Sequence, residues 1–323
     1  MEPERELHVV LGSGQVGPVL AQKLAARGHR VRIVSRSSAP ALPGVQWARG
    51  DITDPTFAAE AVRGARAIYH CANPMRYDRW HELLPPLTRA VQQAAARSGA
   101  HLVVLDNLYM YGLPASGVIS ESSPEEPRSK KGQLRAMLAA ELRAAHARGE
   151  LRLSVGRASD FFGARAARSV TFGQSFFTSL ARGLPSYALG DPDQPHSYAY
   201  IPDVAEGLRV LGEQASPQGR TWLLPHAWPG SSRELASMFG DAAGRPARLW
   251  RVPDWAIRSL ARFGGELSGV PEMLYQWRAP FTVDDALFRN ELGVSATPIA
   301  SAVRATLQSY GIAPRPEPAA LSA

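Results

Sequence analysis

The chain has 323 residues, 45% of them hydrophobic, and a formal charge of +7 at neutral pH, enough length and apolar content for a large α/β domain with a smaller lobe. The basic balance does not point to nucleic acid: among 36 basic residues only Lys23, Lys130 and Lys131 are lysines, and the arginines are scattered instead of forming a stripe with interleaved aromatics. The single cysteine, Cys71, excludes an intrachain disulfide, and a charged, acidic start (Met1-Glu2-Pro3-Glu4-Arg5-Glu6) with no long apolar run predicts a cytoplasmic protein without a membrane segment.

In chain order, the first expected strand, Leu7 to Leu11, runs directly into Gly12-Ser13-Gly14-Gln15-Val16-Gly17, and a helical pattern follows from Val16 to Arg27. A GxGxxG so placed is a phosphate-cradling turn. Gly12 permits the tight turn, Gly14 lets backbone approach a pyrophosphate, and Gly17 lets the helix pack closely on the strand, with the helix N-terminus facing the anion. The second strand, Val31 to Ser35, ends in Ser35-Arg36-Ser37, where an NAD site normally carries an acidic residue for the ribose 2′-hydroxyl. Two serines and a planar, permanently charged guanidinium suit a 2′-phosphate instead, so the expected cofactor is NADP, with NADPH favoured over NADH. The plainer alternative is an arginine solvated at a strand end.

Further strands are expected at Val45 to Ala48, Ala67 to His70, His101 to Leu105 and Leu151 to Val155, alternating with helices at Pro55 to Val62, Trp80 to Ser98 and Gln133 to Arg148. The alternation predicts an α/β fold, a Rossmann-type doubly wound parallel sheet in the order 3-2-1-4-5-6. A helix N-capped by Asp203 and a seventh strand, Thr221 to Leu224, extend it. The expected division is a dinucleotide-binding core over residues 1–160 completed by 195–225, a substrate lobe from 161–194 and 226–313, and a frayed tail from Pro314.

Past Gly156 the pattern turns irregular and rich in aromatics, among them Phe161, Phe162, Phe172, Phe176, Phe177, Trp250, Tyr275 and Trp277. Such residues over the carboxyl ends of the strands enclose a substrate, although any single one is more simply core. The eight histidines show no HxxxH spacing and no Cys/His cluster, so no metal site is expected. Neither a G-x-S-x-G elbow nor a P-loop lysine occurs. Trp255 to Phe263 reads as a core-facing helix, not a membrane anchor.

Five more segments, in order and spacing, resemble the extended short-chain dehydrogenase/reductases, also called the NAD-dependent epimerase/dehydratase family. They are Gly50-Asp51-Ile52-Thr53-Asp54, His70-Cys71-Ala72-Asn73-Pro74, Tyr109-Met110-Tyr111-Gly112 (similar to the family's VYG), Gly156 to Gly163 (similar to RPxNxYGP) and Tyr200 to Ala205 (similar to YVDDVA). The resemblance covers most of the chain. It implies that Asp51 and Ile52 contact the adenine, that Cys71, Ala72, Asn73 and Leu105 lie along the cofactor, and that Ser159 flanks the nicotinamide. It also implies pairing of two copies through the helices that flank strands four and five.

The departure from that family concerns the proton. Family members use a tyrosine and a lysine four residues on, the lysine and the ribose lowering the phenol's pKa. Here the residues four before the three lysines are Val19, Glu126 and Pro127, so no Tyr-x-x-x-Lys exists, and the tyrosine's place falls near Gly132. The candidate substitutes are Asn107, whose amide can donate to a carbonyl oxygen, and Tyr111 as proton donor, a tyrosine often structural in the family. Lys131 or Arg135 can hold the ribose or stabilise an oxyanion, and Asp106 can be a general acid or an acceptor of turn amides. The chain is thus identified as an atypical member of the family. The expected activity is NADPH-dependent reduction of a small or medium apolar carbonyl, enone or imine substrate. A sugar-nucleotide epimerase or dehydratase and a non-catalytic NADP(H)-binding sensor are the alternatives.

Overall fold

The computed structural model describes residues 5–37, 41–215, 218–264 and 268–316. Strand β1 (Leu7–Leu11) leads through the glycine turn into α1 (Gly17–Ala26), followed by β2 (Arg30–Ser35), β3 (Val45–Arg49), α2 (Pro55–Ala61), β4 (Ala65–His70), α3 (Trp80–Ser98) and β5 (His101–Asp106). After β6 (Val118–Ile119) come α4 (Lys130–Ala147), β7 (Arg152–Arg157), β8 (Asp160–Phe162), α5 (Gln174–Arg182), β9 (Ser186–Ala188), β10 (Tyr198–Tyr200), α6 (Ile201–Glu213) and β11 (Thr221–Leu223). The remainder is α7 (Ser232–Ala243), β12 (Leu249–Arg251), α8 (Asp254–Ala261), β13 (Thr282–Val283), α9 (Ala286–Leu292) and α10 (Ile299–Ser309).

Seven parallel strands stand in the order β3-β2-β1-β4-β5-β7-β11, as the alternation of the sequence predicts. Period-two patterning divides the strands between two apolar layers. In β1, Leu7, Val9 and Leu11 face the layer filled by Ala58 of α2, Val91 of α3 and Leu142 of α4, while Val10 faces Leu20 of α1 and Leu208 of α6. The strand order reverses between β1 and β4, which opens a crevice at the carboxyl ends of those strands. Register brings Leu11 beside Val34 and His70, and Asp106 beside Arg157, so the loops that follow converge on one edge.

The smaller lobe is built from three short parallel pairs, β8–β10, β9–β12 and β6–β13. Around them, α5, α7 and α10 enclose a cluster that includes Phe162, Phe172, Phe176, Phe177 and Phe239. Helix α7 opens with a reciprocal Ser231–Glu234 capping box, a signal present in the sequence as S-x-x-E.

Several local expectations are corrected. Asp203 does not cap α6: the helix starts at Ile201, and the buried Asp203 carboxylate accepts from the Thr297 amide (2.8 Å) and hydroxyl (2.6 Å), tying α6 to the start of α10. Helix α4 begins at Lys130, capped by Ser129, so Lys131 lies in its first turn. The Trp255–Phe263 stretch turns only Ile257 inward. Trp255 is 72% and Phe263 89% exposed, because α8 rides on the short 3-10 helix Pro271–Trp277 at the rim instead of lying between two layers. Among the described residues no helix is long and apolar enough to cross a membrane. Arg315 is docked, its amide on the Ala242 carbonyl (2.7 Å), while 317–323 of the expected tail lie outside the described residues.

Candidate active site

The glycine turn has the geometry its residues imply. Gly12 adopts φ +105°, and a Cβ there would meet the Ala72 backbone at 2.9 Å, so this turn packs directly on the segment after β4. A Cβ at Gly17 would lie 2.0 Å from the Gly12 carbonyl oxygen, which fixes the close approach of α1. Gly14, by contrast, stands in open space. Val16 at the N-cap supplies no side-chain acceptor to the first turn of α1, which leaves backbone amides beside that space for an anion. Half-buried Ser13 shares the turn, and the Gln15 side-chain oxygen accepts from the Arg168 amide at 3.3 Å, linking it to the lobe.

At the end of β2 the exposed Arg36 guanidinium lies 3.9 Å from the Asp51 carboxylate, so two predicted contacts, one for each end of an adenosine, are neighbours. Partial burial raises the Asp51 carboxyl, but two hydrogen bonds from Thr53 and the Arg36 charge outweigh it, leaving the group below its ordinary value. Ile52 beside it is buried. Ser35 donates to the Ser37 carbonyl at 2.6 Å and accepts from the Trp47 indole at 3.1 Å, so its hydroxyl is engaged within the loop. Beyond β4, Cys71 donates its amide to Leu11 (3.0 Å), and burial pushes its thiol up to about 12, which keeps it neutral.

The ends of β4 and β5 and the start of α4 meet in one polar network. Arg135 donates to the Asn73 side-chain oxygen (2.9 Å) and to Asp106 (3.2 Å), with its guanidinium 4.6 Å from the Trp80 ring centre. Asp106 is buried, accepts from the Asn107 amide at 2.9 Å, and lies 3.5 Å from Arg157. One turn before Arg135, the buried Lys131 ammonium contacts Glu272 at 2.6 Å and lies 4.5 Å from the Tyr77 ring centre. The second Glu272 oxygen accepts the Lys130 amide at 2.8 Å, so a lobe carboxylate clamps the first turn of α4. The Tyr77 hydroxyl lies 3.4 Å from that of Tyr109. Burial, followed by the Asp160 carboxylate, pushes the Tyr109 phenol up to about 12, and burial likewise raises Tyr77, so both remain O–H donors.

The two other predicted catalytic residues lie differently. The Asn107 carbonyl oxygen accepts from the Tyr109 amide (3.2 Å), which turns that side chain toward capping the short helix Tyr109–Tyr111. Tyr111 is 4% exposed, packed with Leu108, Met110, Ile119 and Phe281 and covered by Arg157 at 4.9 Å from its ring centre. Burial raises its phenol. Ser159 donates its amide to His226 (3.0 Å), and half-buried Leu105 pairs with Gly156.

Tyr77, Glu272 and His196, not anticipated from the sequence, complete this edge, the last joined to Asp160 and Trp277: Asp160 contacts the His196 Nε2 at 2.9 Å and accepts from the Trp277 indole at 3.0 Å. The fold also gathers a Glu and two His that spacing could not reveal. Glu6, His8 and His29 offer ligand atoms within 4.8 Å of one another. This group lies at the amino ends of β1 and β2, away from the site, and Glu6 already pairs with Arg66 at 3.2 Å.

The sequence profile of the NAD dependent epimerase/dehydratase family matches residues 9–224, and the chain belongs to that family. A curated relative, the 2-alkyl-3-oxoalkanoate reductase of Stenotrophomonas maltophilia (strain K279a), is 41% identical over 61 residues, a stretch that spans 18% of this chain and 18% of the relative. Solved structures share the whole fold. The dTDP-glucose 4,6-dehydratase DesIV from Streptomyces venezuelae, with NAD bound, superposes with a TM-score of 0.75 at 21% identity, over 94% of this chain and 97% of its own. The UDP-glucose 4-epimerase from Brucella ovis, in complex with NAD, gives a TM-score of 0.75 at 17% identity, covering 96% of this chain and 100% of its own.

Proposed function

We propose that the chain binds NADP(H) across the crevice between β1 and β4 and reduces a small or medium apolar carbonyl, enone or imine. The observation that carries this reading is the fit of the turn to a pyrophosphate: Gly14 leaves open space that a side chain would occupy, beside a helix start with no side-chain cap. Residues Gly12 to Gly17 hold the pyrophosphate in this reading, Asp51 and Ile52 the adenine, and Arg36 with Ser37 the 2′-phosphate, while Ser35, its hydroxyl tied to the Ser37 carbonyl, shapes the loop that carries them. Cys71, Ala72, Asn73 and Leu105 lie along the other half, with Ser159 beside the nicotinamide. Bound NADPH supplies a hydride.

The chain's own part is orientation and charge. Arg135, held by Asp106 and Asn73, and Lys131, held by Glu272, present two fixed cations one helical turn apart, suited to an acceptor oxygen that gains negative charge. Lys131 takes the ribose-side position and Arg135 the position nearer the acceptor, with the Asn107 amide as a further donor. The reductase named among the curated relatives supports a ketone, whereas the dehydratase and epimerase among the structural neighbours support a sugar nucleotide. The missing Tyr-x-x-x-Lys weighs against the latter, because both chemistries rest on that pair in the family. In this reading the 1–160 and 195–225 core serves the dinucleotide, 161–194 and 226–313 the substrate, and two copies pair through α3 and α4 in the cytoplasm.

Calorimetric titration with NADPH and NADH tests the cofactor assignment. NADPH binds more tightly, and Arg36→Ala removes about 1.5–3 kcal/mol of that preference, the worth of a charged hydrogen bond. Equal affinities in the native protein overturn it. Substrate-dependent NADPH consumption across carbonyls, enones and imines tests the reaction, and none across the panel favours the sensor.

A further inference from the structure

We infer that Asp160 and His196 share one exchangeable proton and deliver it to the substrate, filling the role left open by the missing tyrosine. The inference deepens the reductase reading and, for the delivery, rests on it. Its foundation is independent of that reading and lies in hydrogen-bond bookkeeping. The His196 Nδ1 lies 3.2 Å from the Gln276 carbonyl oxygen, and its Nε2 lies 2.9 Å from Asp160 Oδ2. A carbonyl oxygen can only accept, so Nδ1 carries hydrogen. A neutral imidazole then has a lone pair at Nε2, which a carboxylate cannot satisfy. The pair therefore holds one more proton than a neutral histidine beside a free carboxylate, either on Nε2 or on Asp160 Oδ2. Both forms have the same net charge, and the two differ only by transfer across 2.9 Å.

The setting holds this arrangement rigidly. His196 is 2% exposed, stacked against Trp277 and Phe281 with interplanar angles of 24° and 19°, and its amide donates to Gly230 at 3.0 Å. The pairing of β10 with β8 sets Tyr198 opposite Asp160, and His196, two residues earlier in the chain, bridges to Phe281. Groups that could compete for the proton face the pair from every side. His226 is kept neutral by burial, with its pKa lowered to about 4, and accepts the Ser159 amide at Nε2, while Asp285 receives the His226 amide. Tyr198 is pushed up by burial and by Asp160, as are Tyr77 and Tyr109, so none of these phenols takes part as an anion. The Ser159 hydroxyl lies 3.5 Å from His196 Nε2.

Asp160 is the accessible member. Its side chain is 26% exposed while that of His196 is 2% exposed, so the carboxyl group is the one that solvent and substrate can reach. In the transfer, the O–H bond of protonated Asp160 breaks and an O–H or N–H bond forms on the acceptor as it takes up the electron pair of the hydride. The pair is left as a carboxylate and a neutral imidazole with hydrogen at Nδ1. That state sets the Nε2 lone pair against a carboxylate, so a solvent proton restores the pair.

The test begins in the resting protein. In ¹⁵N imidazole spectra of the full chain, the His196 signals are identified by their loss in His196→Gln. At pH 7 both His196 ring nitrogens carry, or exchange, a proton with Asp160, and in Asp160→Asn the ring becomes a neutral imidazole with hydrogen at Nδ1 alone. A native His196 that is a neutral imidazole with an unshared lone pair at either ring nitrogen overturns the inference, whatever the protein's reaction. With a substrate in hand, Asp160→Asn lowers turnover by roughly 10²–10⁴ while NADPH affinity, read by calorimetry, stays native. Native turnover in that variant with native folding overturns delivery. A panel without NADPH consumption overturns the reductase reading and delivery with it, and is distinguished by an unchanged resting-state spectrum.

Discussion

At the β1–α1 turn, everything on offer to a dinucleotide is backbone within six residues, Gly12 to Gly17, whereas at the start of α4 the partners come from far apart in the chain. Arg135 and Asn73 are separated by 62 residues, and Lys131 and Glu272 by 141. The first region works by what is missing, the side chains at Gly12, Gly14 and Gly17. The second works by side chains that neutralise one another: each cation there already has a carboxylate or amide partner. A backbone site tolerates change around it but none at its glycines, and a side-chain network tolerates conservative change at many points but depends on the lobe being in place.

The largest expected effect breaks the first region without touching the second. Gly14→Val places a branched side chain in the open cradle, where it meets no protein atom, so the fold persists and dinucleotide binding falls below detection. Gly17→Ala makes the contrast: its Cβ would lie 2.0 Å from the Gly12 carbonyl, so the turn itself must shift and thermal stability falls along with binding. Calorimetric titration beside a thermal melt separates the two. Native affinity in Gly14→Val would move the pyrophosphate elsewhere.

The same contrast explains what could be read from the sequence. The βαβ unit, the sheet order and the glycine turn depend on local periodicity and on φ values that only glycine supplies, so Leu7 to Ser35 declared itself. Lys131 and Arg135 were visible as cations on one helix face, but not their roles, because Glu272 and Asn73 approach only through the fold. Asp160 stood in the Gly156–Gly163 segment, but its pairing with His196 left no trace for the same reason: the β8–β10 register beside them is three residues long and carries no alternation. The Trp255–Phe263 stretch misled because amphipathic periodicity says which face is apolar, not whether a partner covers it.

A smaller effect sharpens the difference between buried histidines. His8, His70 and His226 are lowered to about 4, and His101 to about 3, each chiefly by burial, against an ordinary value of 6.5. Their folded pKa values are depressed, so below pH 6.5 the unfolded chain takes up protons that the folded chain refuses. Stability is fully present above that pH and falls toward pH 4, by up to about 1.4 kcal/mol per pH unit for each histidine. Thermal melts from pH 7.5 to 4.5 check this, with His101→Gln, which leaves Ser154 a partner, flattening the slope. A midpoint unchanged between pH 7 and 5 would mean that these imidazoles take up protons in the native state.

The smallest effect concerns Tyr111, the one phenol of the Tyr109–Tyr111 turn that the fold turns into packing. Its ring fills an apolar cluster and lies under Arg157, whose guanidinium is shared with Asp106 and with Glu125 at 2.7 Å. Tyr111→Phe keeps the ring and the cation–π contact and removes only the hydroxyl, so the expected cost is about 1 kcal/mol of stability, the net worth of one hydrogen bond. Turnover on any substrate found by NADPH consumption stays within a few fold, because Arg157 and Asp106 retain each other and Arg135 keeps its place. A fall of roughly 10² or more with native stability and cofactor affinity would mark Tyr111 as the acid. It would also mean that the lobe opens far enough to bring substrate to a side chain that the closed packing hides, and the proton of Asp160 and His196 would then serve orientation alone.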